Sequence, residues 1–115
     1  MKLFIPSIGE PIVLTQDWTF TLNREYRNAS LWFHETGKDI SASYIRDSSI
    51  PDEITVTLPA GTVLSMSRIY IKKGQSDFDS VTFIVKKSPF PRKGLIRFWV
   101  KLKETRNVEF SPFEE

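Results

Sequence analysis

A chain of 115 residues that is 40% hydrophobic and 13% aromatic is long enough for one domain with a real core, and too apolar for disorder. It has no cysteine, which excludes disulfides, thiol catalysis and cysteine-based metal sites. The net charge is only +2, but residues 1–57 carry five Lys/Arg and eight Asp/Glu, a net −3, whereas residues 58–115 carry eleven and six, a net +5.

The chain opens on "MKLFIPSIGEPIVL", where Pro6, Gly9, Glu10 and Pro11 interrupt the apolar run that a signal peptide needs. No later segment approaches the ~20 apolar residues that span a bilayer. The expectation is a cytoplasmic protein with no membrane partner. "DWTFTL" then alternates, with Trp18, Phe20 and Leu22 on one face and Thr19 and Thr21 on the other, the pattern of a strand with one buried face. "NREYRN" follows, a short helix that Asn23 is placed to cap. Asp17, Arg24, Glu25, Tyr26 and Arg27 crowd this region. The plain reading is a salt-bridged turn; the functional one makes Tyr26 and Arg27 a recognition surface. The sequon "NAS" at Asn28 carries no weight without secretion.

"SLWF" and "ISASYI" read as strands about a turn at "TGKD". "EITVTL" repeats the alternation with Ile54, Val56 and Leu58 inward. "LPAGT" is a turn, begun by Pro59 and closed by Gly61. In "TVLSMSRIYIKK", Leu64 and Met66 share one phase and Ile69 and Ile71 the other, so a bulge is expected near Ser67 and Arg68. "KKGQSDFDS" is a polar loop. "SVTFIV" puts Val81, Phe83 and Val85 inward, and "KKSPFPRKG" is a second loop. "RKGLIRFWVKLK" is a strand with Ile96, Phe98, Val100 and Leu102 on its core face and Arg97, Trp99, Lys101 and Lys103 on the other. "EFSPFEE" reads as an extended tail, loosely held over residues 110–115. These elements predict an all-β single domain spanning residues 1–115, a small antiparallel barrel or sandwich, with an SH3-like barrel as one form.

Catalytic signatures are missing. The single histidine, His34, adjoins Glu35 but has no nucleophile motif near it. "GQSDF" lacks the second glycine of a nucleophile elbow, and neither a P-loop nor a dinucleotide fingerprint occurs. Asp77 and Asp79 offer two carboxylates, but no EF-hand spacing surrounds them, and a solvated turn is the plainer reading. The expectation is a non-enzymatic protein with no cofactor and no metal.

One constellation stands out. Residues 68–103 hold ten Lys/Arg against two Asp, a local +8. Arg68, Lys72, Lys73, Lys86, Lys87, Arg92, Lys93, Arg97, Lys101 and Lys103 supply the charge, and Trp99 sits among them. If the three strands pair in sequence as a meander, these residues gather at alternating strand ends and along one face. Cations with an aromatic platform suit single-stranded nucleic acid, and Trp with Arg equally suits a protein interface. The plain reading is that charge blunts a sheet edge. Trp99 then packs under the proline loop with Phe90, and Arg97 stacks on Trp99 or pairs with Glu104 or Asp77.

"DWTFTLNREYRN" and "LPAGTVLSMSRIYIKKGQSDFDSVTF" resemble stretches of short uncharacterised proteins encoded by tailed bacteriophages. The resemblance implies expression in a bacterial host cytoplasm and a protein that binds and blocks a host protein, such as a defence or nucleic-acid enzyme. Nucleic-acid binding through the same face and a minor role in the virion are the alternatives.

Overall fold

The computed structural model describes residues 6–40, 50–74, 79–87 and 96–113, with the backbone alone for Lys87. Among the described residues seven strands form two antiparallel sheets. They are β1 (Pro11–Leu14), β2 (Trp18–Asn23), β3 (Glu53–Leu58), β4 (Val63–Tyr70), β5 (Ser80–Lys87), β6 (Ile96–Lys101) and β7 (Phe110–Pro112). The larger sheet has the order β6-β5-β4-β1-β7, and the smaller sheet pairs β2 with β3. Between β2 and β3 lie a 3-10 turn, η1 (Tyr26–Asn28), and the helix α1 (Ala29–Thr36). A second 3-10 segment, η2 (Leu102–Asn107), joins β6 to β7.

The all-β class expected from the alternating pattern is what forms, as two sheets packed through an aromatic core. Trp18, Phe20 and Leu22 of β2 are buried, as are Val56 and Leu58 of β3. They face Val81, Phe83 and Val85 of β5 and Ile96, Phe98 and Val100 of β6. Phe20 stacks on Phe98 with ring centroids 5.2 Å apart, and Trp18 meets Phe83 edge-on at 5.4 Å. Such contacts add to the hydrophobic gain of burying the rings. Of that apolar face only Leu102 stands apart: it enters η2 and is exposed.

The bulge in β4 is where the phase change places it, with the register slipping between Met66 and Arg68. The "LPAGT" turn is also as read. The Thr62 N–H donates to the Pro59 carbonyl, and Gly61 has φ +93°, a conformation that side chains resist.

Three local expectations fail. "SLWF" is not a strand but lies in α1, where the adjacent residues Leu31 and Trp32 are both buried. Alternation would send such neighbours to opposite faces, whereas a helix can bury both. Gly37 ends the helix in the left-handed conformation (φ 76°), its N–H donating to the Phe33 carbonyl. The helix read at "NREYRN" contracts to the 3-10 turn, and its cap is Glu25 rather than Asn23, because Asn23 ends β2. The tail is extended but not loose through Phe113: β7 pairs with β1, and the Phe113 N–H donates to the Pro11 carbonyl. "ISASYI" falls, beyond Ile40, outside the described residues.

Phe98 is fully buried and touches Trp18, Phe20 and Phe83 across the two layers. Phe98→Ala is expected to cost about 3–5 kcal/mol through lost transfer energy and a cavity. Urea denaturation measures it, and a loss under about 1 kcal/mol would show that the two sheets do not share this core.

Candidate recognition groove

Strand β6 is an edge of the large sheet. An edge strand presents backbone groups that must be paired, covered or left to water. Here they are covered by side chains from η1 and α1. The Trp99 N–H donates to Asn28 Oδ1 at 2.7 Å. The Arg97 N–H donates to Ser30 Oγ at 3.0 Å, and that hydroxyl donates to the Arg97 carbonyl at 2.9 Å. Asn28 is fully buried, and its amide nitrogen donates to the Asn23 carbonyl at 3.0 Å. One amide thus ties the end of β2 to β6. The same burial keeps the Asn28 sequon out of reach in the folded chain.

Docking of η1 on β6 brings Arg27 to Trp99. The Arg27 guanidinium lies 5.5 Å from the Trp99 ring centroid and 6.0 Å from that of Tyr26, both within cation–π range. Glu25 organises the pair. Its Oε2 accepts the Trp99 indole N–H at 2.7 Å and the Arg27 backbone N–H at 3.0 Å, while Oε1 accepts from Arg27 Nε at 2.8 Å. Trp99 is therefore half-buried under Arg27. Arg97, the cation expected to stack on it, is exposed. Glu104, the acid expected to pair Arg97, instead accepts the Thr21 N–H with Oε1 and the Trp18 indole N–H with its carbonyl. Phe90 and Asp77, the other partners considered, lie outside the described residues.

Beside this wall the outer face of β4, β5 and β6 forms an open groove of about 620 Å³. The three strands pair as the meander expected from their loops. Their register sets two rows of side chains across the groove. Arg68, Thr82 and Trp99 form one, and Tyr70, Ser80 and Lys101 the other. Each row runs through a hydroxyl between a cation and an aromatic ring, in opposite order, so the cations occupy one diagonal and the rings the other. Arg27, Asn23, Lys72 and Asp79 complete the lining. The groove thus has four cations against one carboxylate, and that carboxylate, Asp79, accepts the Lys72 backbone N–H at 2.9 Å.

The expected constellation is only partly gathered. Arg68, Lys72, Trp99 and Lys101 line the groove together with Arg27, from the second candidate surface. Tyr26, its companion, is 59% exposed beside Arg27. Lys103 lines a smaller hollow of about 120 Å³ with Thr21, Glu53 and Glu104. Lys73 is exposed just beyond β4, outside the groove lining. Lys86 and Lys87 do not join the site. Lys87 pairs with Val63 at the far end of β5, ~23 Å along the strand from Ser80. Arg92 and Lys93 lie outside the described residues. Tyr70, Ser80 and Thr82 were missed, although the bulge at Arg68 was the signal that returns Arg68 and Tyr70 to the outer face.

His34 is exposed on α1. Among the described residues no group of three or more His, Asp or Glu side chains could hold a metal ion. No helix among them is long and apolar enough to cross a membrane. No family model matches the chain, nor does any curated protein or solved structure.

Asn28→Ala removes the partner of two part-buried backbone groups, with the side chain itself fully buried. A loss of about 2–4 kcal/mol in urea denaturation is expected, against less than about 1 kcal/mol for Ser30→Ala, whose bonds lie where water can replace them. Equal effects from the two variants would contradict the assignment.

Proposed function

We propose that the protein is a non-enzymatic binding protein whose recognition surface is the groove on β4, β5 and β6. The observation that carries this reading is the convergence of Arg27, Arg68, Lys72 and Lys101 on one concave surface flanked by Tyr70 and Trp99. The local field favours an anionic partner, and desolvated aromatic and arginine side chains are the usual anchors of recognition. The resemblance of two stretches to phage-encoded proteins supports a bacterial host protein as that partner. A protein that blocks a host enzyme would use the groove to grip an acidic segment of it. The two rings across the groove favour a second reading, a single strand of nucleic acid.

Capture from bacterial extract, with and without nuclease, tests the groove reading. Wild-type protein is compared with the double variant Arg68→Glu/Lys101→Glu, which reverses two exposed or half-exposed cations without touching the core. Retention of a defined partner by the wild type and its loss in the variant is the expected result. Retention of that partner by both would place recognition elsewhere on the molecule.

A further inference from the structure

The pattern of the two rows narrows the ligand class, on the premise that the groove is the binding surface. We infer that the groove takes a single strand of nucleic acid, with one base on the Tyr70 ring, another on the Arg27 guanidinium that overlies Trp99, and phosphates on the cations.

The spacing supports this. Successive rows on one face of a strand are ~6.7 Å apart, and β4 and β6, separated by β5, are ~9.6 Å apart. Tyr70 and Trp99 at opposite corners are therefore roughly 12 Å from each other. That is too far for both to grip one base, and suits two bases splayed along an extended strand. Tyr70 is 45% exposed, so a ring face is available without rearrangement. At the other corner Arg27 overlies Trp99, and guanidinium planes stack on bases as aromatic rings do. Bases already paired in a duplex could not reach either platform.

The charges fit the same ligand. Among the described residues neither Arg68 nor Lys101 has an ion-pair partner. Arg27 is held through Nε by Glu25, and its terminal nitrogens appear in no bond among the described residues. Three cations therefore face the groove with donors to spare for phosphate oxygens. The Ser80 and Thr82 hydroxyls on the floor can donate to a phosphate or accept from a sugar hydroxyl. An acidic peptide would satisfy the cations but leave the Tyr70 ring and the outer face of the Arg27 guanidinium without flat partners.

Fluorescence anisotropy with a labelled oligothymidylate of about ten nucleotides, within the range that small barrels cover, reads the affinity. An unlabelled oligoglutamate of equal length serves as competitor. Neutralisation of three phosphates on a single strand predicts a log–log salt slope of about −2. Tyr70→Ala should weaken binding about ten- to a hundredfold at fixed salt with the slope unchanged, because it removes a stacking platform and no charge. Arg68→Ala should reduce the slope by about 0.7. Circular dichroism confirms that each variant is folded. A slope of that size without an effect of Tyr70→Ala would overturn the proposal, because it describes a general polyanion site. Tight oligoglutamate binding with no oligonucleotide binding would overturn it too, while leaving the groove reading intact. If Arg68→Glu/Lys101→Glu left every affinity unchanged, the groove itself would be excluded.

Discussion

The structure depends on what covers the outer edge of β6, and the central contact there is a single buried amide. Asn28 accepts the Trp99 N–H and donates to the Asn23 carbonyl, and no water reaches it. A buried polar side chain with both ends engaged is costly to misplace, because either backbone group would then stand unpaired. The position of η1 against β6 is therefore well determined. Arg27, Glu25 and Tyr26 are carried with it. Nearer the start of β2, Glu104 performs a parallel task, holding the Trp18 indole and the Thr21 amide. The two-stranded sheet is thus fastened to β6 and η2 at both ends, over and above the aromatic contacts between the layers.

Magnitudes separate what fixes the groove from what decorates it. The Glu25–Arg27 ion pair is partly open to water, with the Arg27 side chain 52% and the Glu25 side chain 24% exposed, so it contributes about 1 kcal/mol at most. The Arg27–Trp99 contact is of similar size at such a site, about 0.5–1 kcal/mol. Neither could hold a three-residue turn against an edge strand, where ordering each backbone residue costs about 1–2 kcal/mol. The buried amide, the Leu31 and Trp32 side chains beneath α1 and the core must do so. The polar wall of the groove is consequently a rigid surface with loosely paired charges upon it, suited to exchanging internal partners for external ones.

Much of this was legible in the residues. Strands β2, β3, β5 and β6 announce themselves because large apolar side chains recur at every second position, and period two has one structural meaning at that length. The bulge in β4 is legible for the same reason, as a break in phase. Strand β1 was missed because four residues beginning with proline carry too little pattern, and α1 because three consecutive apolar residues fit a buried strand or helix equally well. The site was visible as two separate candidates, Tyr26–Arg27 and the basic band. Their union was not, since it rests on a bond between Asn28 and Trp99 spanning 71 residues. The meander expected from the loops does put Lys86 and Lys87 at the opposite end of the sheet from Lys72 and Lys73, which a count of charges alone would not.

The molecule is therefore best understood as a small β sandwich whose edge strand is covered by a turn, with the cover forming one wall of a cationic, aromatic groove. Backbone amide resonances during an oligothymidylate titration test this most directly. The account predicts shifts concentrated at Arg27, Arg68, Tyr70, Ser80, Thr82, Trp99 and Lys101, with Lys86 and Ser65 unmoved. Shifts centred on the far end of β5, or spread evenly over the exposed lysines, would contradict it.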